Sequence, residues 1–76
     1  MNNERRKALA GISKEITSIK ERLEFLRDDE QNSLDNLPEN LQCGAKADTM
    51  QEKIDSLDTV IDSLQDNLDE IENIVS

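Results

Sequence analysis

Histidine, tryptophan and tyrosine are absent from the 76 residues, and cysteine, proline and phenylalanine occur once each, as Cys43, Pro38 and Phe25. Without histidine there can be no Cys/His zinc set and no histidine-based catalytic triad. A single cysteine cannot close a disulfide within the chain, and Cys43, with no histidine or immediately following helix start to activate it, reads as an ordinary free thiol. One aromatic residue and 34% hydrophobic residues leave too little apolar bulk for a large globular core, so the core must be a seam. No apolar run approaches the ~20 residues of a membrane span. The start, Met1-Asn2-Asn3-Glu4-Arg5-Arg6-Lys7, leads into an amphipathic pattern without an apolar signal core. The expectation is a soluble, cytoplasmic protein that makes no membrane contact.

What the chain does have is heptad spacing. Ile54, Leu57, Ile61, Leu64, Leu68, Ile71 and Val75 recur at alternating steps of three and four, and Leu9, Ile12, Ile16, Ile19, Leu23 and Leu26 repeat the pattern upstream. Between them, Asp35, Asn36 and Pro38 form turns, and Pro38 disfavours a helical Leu37. The spacing predicts one domain over residues 1–76: a helix over 3–34, a connection over 35–46 and a helix over 47–75. The first helix should begin near Asn3, where an Asn can cap it, and Thr49 with Glu52, or Asp48 with Gln51, offers a capping box for the last. The fold class expected is all-α, an antiparallel two-helix hairpin of coiled-coil type. Folded about residue 40, it forms six apolar layers, Leu26–Ile54, Leu23–Leu57, Ile19–Ile61, Ile16–Leu64, Ile12–Leu68 and Leu9–Ile71, whose numbers all add to 80. In that register Arg6 meets Glu72, Lys20 meets Asp58 and Asp29 meets Lys53, with no like charges opposed.

Two helices alone bury little, and one flank beside the seam is suited to further burial. It holds Ala8, Gly11, Ser18 and Phe25 on the first helix and Ser56, Val60, Ser63 and Ile74 on the second, mostly small or apolar side chains. These residues are the expected interface of a homodimer in which two hairpins form a four-helix bundle. Gly11 costs about 1 kcal/mol relative to alanine inside a helix, and close packing there is a reason for it.

The charge is uneven. Residues 1–33 carry seven basic and seven acidic side chains, whereas residues 48–76 carry nine acids against Lys53, and the net charge is −9. Phosphate binding needs clustered Lys and Arg, so direct contact with nucleic acid is not expected. A protein with a basic surface is the partner such a field favours. Asp55, Asp62 and Asp69 recur at every heptad, joined by Asp66, and this stripe is a docking face for a cationic partner, a mimic of a nucleic-acid backbone, whose phosphates stand closer together than the ~10 Å heptad step, or a solvated face. Glu21, Glu24 and Asp28 are spaced like magnesium-binding carboxylates, but Lys20 and Arg27 interrupt them. No metal, cofactor or enzymatic activity is therefore expected.

The connection is the least generic stretch: Glu30-Gln31, then Asp35-Asn36-Leu37-Pro38-Glu39-Asn40-Leu41-Gln42, followed by the acidic heptad helix. From about Arg22 to Ile71 this resembles small acidic helical proteins of bacteriophages and mobile elements, which have no catalytic residues to carry over. The resemblance implies a phage accessory protein in the host cytoplasm, for which interference with a host protein, including antiviral defence, is a common role. The expected function is thus non-enzymatic protein binding, through Asp55, Asp62, Asp66 and Asp69 along the helix and Asn36, Pro38 and Glu39 at the turn. The alternative is a structural coiled-coil spacer with no regulatory target.

Overall fold

The computed structural model describes all residues, 1–76, and is helical throughout apart from the ends and short connections. Helix α1 spans Asn3–Asp35, α2 is a short turn of helix over Glu39–Gln42, and α3 spans Ala45–Val75. The two long helices pack side by side as a hairpin, an elongated body of 59 × 15 × 12 Å. Its radius of gyration of 17.4 Å exceeds the ~11 Å of a compact domain of this length. Burial is correspondingly thin. Only Ala47, Ile54 and Ile61 are buried, all on α3, and α1 has no buried residue.

Each terminus of the long helices has a local cause. The side chain of Asn2 caps α1, its Oδ1 accepting the Arg5 N–H at 2.8 Å. At the other end the Asn36 N–H donates to the Asn32 carbonyl and the Leu37 N–H to the Leu34 carbonyl, after which Pro38 stops the helix. The Gln42 side-chain amide then ties back to the Leu37 carbonyl at 2.9 Å, and Leu41 and Gly44 donate to Pro38 and Leu41. Helix α3 starts at Ala45, with the extended Gly44 before it and no side-chain cap. Asp48, Thr49, Gln51 and Glu52 consequently lie inside the helix, and neither expected capping box forms.

Two features differ from the sequence expectation. First, α1 is rotated about its axis. The half-buried residues of α1 are Leu9, Ser13, Ile16, Lys20, Leu23, Glu24, Arg27, Glu30, Gln31 and Leu34, while Ile12, Ile19 and Leu26 are 45%, 47% and 56% exposed. On α3 the expected seam from Ile54 to Val75 does face inward, extended by Ala47 and Met50. Second, the register is shifted. Arg27 Nη1 donates to Asp58 Oδ1 at 3.0 Å, so facing numbers add to 85 rather than 80, and Asp58 pairs with Arg27 rather than Lys20. Lys20 instead approaches Glu24, one turn along its own helix, at 3.7 Å. The groove near the open end agrees, since Ala10, Ser13, Thr17 and Lys20 line one wall and Gln65, Leu68, Asp69, Glu72 and Val75 the other.

The asymmetric connection explains the shift. Helix α3 runs about five residues, some 7 Å, past the end of α1, and α2 packs against α3 there. A symmetric turn about residue 40 would leave no room for that extra helical turn. The rotation has a second cause: the apolar stripe of each long helix is wider than one neighbour can cover, and the hairpin takes only one edge of it.

Candidate functional site

The surface has two open recesses, and the side chains that can do something chemically lie on two opposite sides of the rod. Their placement follows from the rotation. Residues Ala10 and Thr17 of α1 and Gln65 and Glu72 of α3 line the same groove, so those edges lie on one side of the seam. Ile12, Ile19 and Leu26 occupy the other edge of α1, and Val60 and Ile74 the other edge of α3. These five therefore share one side of the hairpin, where each is close to half exposed. Between them on α3 sits Asn67, also exposed. A side with this many uncovered branched side chains is unusual for an isolated soluble body.

The angles give the same picture in another way. The α1 side chains facing α3 straddle a line between Ile16 and Lys20, whereas the apolar stripe of α1 is centred between Ile16 and Ile19. At 100° per residue the two directions differ by about 50°. In a square array of four helices, the common axis lies 45° from the line joining two neighbours.

The acidic edge of α3 is the second surface. Asp55, Asp62, Asp66 and Asp69 are all exposed, and the first and last of them stand about 21 Å apart along the helix. The Gln51 amide donates to Asp55 and the Gln65 amide to Asp69, both at 3.0 Å, while Asp62 and Asp66 have no side-chain partner. At the turn, Asn36, Pro38 and Glu39 are exposed, so the structure brings the proposed partner-binding residues to one edge and one tip. They do not converge into a pocket. Near the tip, a shallow recess is lined by Leu34, Asp35, Gln42, Ala47, Asp48 and Gln51, of which Asp35 is held by the Gln31 amide at 3.0 Å.

Arg27 is the one group whose ionisation is clearly shifted. Its hydrogen bonds to Asp58 and then Asp28 raise its pKa further, against a small opposing effect of burial. It stays charged, and the pair holds the two helices in register. No three carboxylate or thiol groups come together to hold a metal ion, and no helix is long and apolar enough to cross a membrane.

Of the residues read from sequence as a dimer interface, Val60 and Ile74 lie on the apolar side, with the exposed Ala8, Ser56 and Ser63 beside them. Phe25, 71% exposed, and Gly11 and Ser18 point further away from α3 on α1. The residues that sequence reasoning missed there are Ile12, Ile19 and Leu26, assigned to the hairpin seam. The signal that marks them is at the neighbouring positions: Lys20 and Arg27 have apolar stems that can line a two-helix seam while their charged ends reach its rim. Compared with protein-family models, with curated proteins and with solved structures, the chain matches none of them.

Proposed function

We propose that this protein is a non-enzymatic binding module: two hairpins join through their apolar sides into a four-helix bundle, and the bundle presents the acidic edge of α3 and the turn to a protein with a basic surface. The observation that carries the reading is the segregation of the two surfaces. The apolar residues Ile12, Ile19, Leu26, Val60 and Ile74 lie on one side, and Asp55, Asp62, Asp66 and Asp69 face away from it. Burying the first leaves the second free. The resemblance of the turn to small phage proteins supports a host protein, such as a component of antiviral defence, as the target and inhibition as the outcome.

The acidic edge acts through its field, which raises the rate of encounter with a basic surface, and the turn residues Asn36, Pro38 and Glu39 supply contacts that slow release. The test replaces Asp55, Asp62 and Asp69 by Asn. Helicity and sedimentation should not change, because these side chains are exposed, while association with a basic partner captured by the unmodified protein should slow by roughly tenfold or more at low salt. Unchanged association kinetics make the stripe a solvated face. Capture of nothing but copies of the chain favours a spacer instead.

A further inference from the structure

The exposed apolar residues are arranged symmetrically. On α1 they are Ile12, Ile19 and Leu26, seven apart and centred on Ile19; on α3 the series is Val60, Asn67 and Ile74, seven apart and centred on Asn67. The Arg27–Asp58 pair fixes how the two series stand relative to each other. With facing numbers adding to 85, Asn67 is level with residue 18, about 1.5 Å along the rod from Ile19. Both centres thus lie at one height, so a single two-fold axis perpendicular to the rod can serve both helices.

We propose that the second copy docks about this axis, with α1 antiparallel to α1 and α3 antiparallel to α3; this rests on the dimer reading above and specifies its geometry. Ile19 then lies against Ile19 of the second copy, Ile12 near its Leu26, and Val60 near its Ile74. Asn67 meets Asn67, a polar pair in an apolar strip that fixes register in the way a single core asparagine does in coiled coils.

One further pair agrees independently. Glu15 and Arg22 stand beside the apolar strip on α1, both exposed and neither in an ion pair within the chain. They are symmetric about the same height, so Glu15 faces the second copy's Arg22 and Arg22 its Glu15. The other way to build a bundle, with the axis along the rod, sets α1 against the second copy's α3. That arrangement puts Ile19 on Asn67 and Glu15 level with Glu70, an apolar group on an amide and two like charges.

The test is charge reversal read by sedimentation equilibrium, with circular dichroism to confirm that helicity is kept. Glu15→Arg and Arg22→Glu each replace two attractive contacts per dimer with two repulsive ones, and each should weaken the dimer on the order of tenfold at low salt. The double variant Glu15→Arg/Arg22→Glu restores complementarity and should recover the affinity of the unmodified chain. With α1 against α3, Glu15→Arg meets Glu70 and tightens the dimer. A dimeric unmodified chain whose Glu15→Arg variant is tighter or unchanged, or whose double variant is no better than the single ones, overturns the axis and leaves the dimer standing. A monomeric unmodified chain at all concentrations overturns both.

Discussion

Ile54 and Ile19 carry the same side chain in heptad positions that the bare sequence makes equivalent, and the structure separates them. Ile54 is 3% exposed and Ile19 is 47% exposed. Truncation to alanine removes three carbons from each, about 2.4 kcal/mol of transfer free energy at ~0.8 kcal/mol per carbon. For Ile54 the full amount is lost and a cavity is left, so Ile54→Ala should cost about 2–5 kcal/mol at any protein concentration. For Ile19 only about half the side chain is covered within one chain. Ile19→Ala should therefore cost roughly 1 kcal/mol in dilute solution. The uncovered half is buried only when a second copy arrives, once on each copy, so the dimer should lose another ~2.4 kcal/mol, about fifty-fold in its dissociation constant. Urea unfolding followed by circular dichroism over a range of concentrations reads both quantities. The Ile54→Ala deficit should be present when dilute, and the Ile19→Ala deficit should grow with concentration. Equal losses from the two variants in dilute solution refute the rotation of α1 and return Ile19 to the hairpin seam.

Two other outcomes follow from single contacts. A double-mutant cycle on Arg27→Ala and Asp58→Ala should give a small favourable coupling that shrinks with salt, since the side chains are 27% and 47% exposed, whereas the same cycle on Lys20 and Asp58 should give none. Gly11→Ala should stabilise the hairpin by about 0.5–1 kcal/mol in dilute solution, because the added methyl group has open space and the helix gains rigidity; a loss in dilute urea unfolding contradicts this.

Much of the architecture is legible in the residues, and what is not legible has a physical reason. The seam of α3 from Ile54 to Val75 reads correctly because its apolar positions recur without a gap and the acidic residues from Asp55 to Asp69 fill one flank. The stop at Asn36–Pro38 reads correctly because proline and the turn formers leave no alternative. The face of α1 does not, because Leu9, Ile16 and Leu23 belong to both candidate seams, and only the other half distinguishes them. An apolar Ile19 fits a hairpin seam as well as a bundle interface, and the amphipathic stems of Lys20 and Arg27 conceal that they line one. The register is not legible for a related reason. Symmetry of the turn is an assumption about the connection, and Glu39–Gln42 breaks it by folding onto α3. Of the candidate site, the exposed acids follow from composition and spacing alone, while the common side shared by Ile12, Ile19, Leu26, Val60 and Ile74 depends on the rotation and height of two helices together.

The overhang of α3 also divides the rod by how it opens. The corner formed by α2 and the first turns of α3 is closed by contacts local in sequence, among them the Leu41 and Gly44 backbone bonds and the Gln42 amide on Leu37. Helix α1 is attached along its length by a seam that buries none of its residues fully, whereas all three buried residues belong to α3. Partial opening should therefore peel α1 away from its free end while the α2–α3 corner persists as a separate cooperative unit. In amide hydrogen exchange, protection is then graded along the molecule: slowest in α3 around Ile54 and Ile61, and fastest in the first turns of α1. The turn would thus remain ordered in a partly opened molecule, holding Asn36, Pro38 and Glu39 in place when the long seam is not.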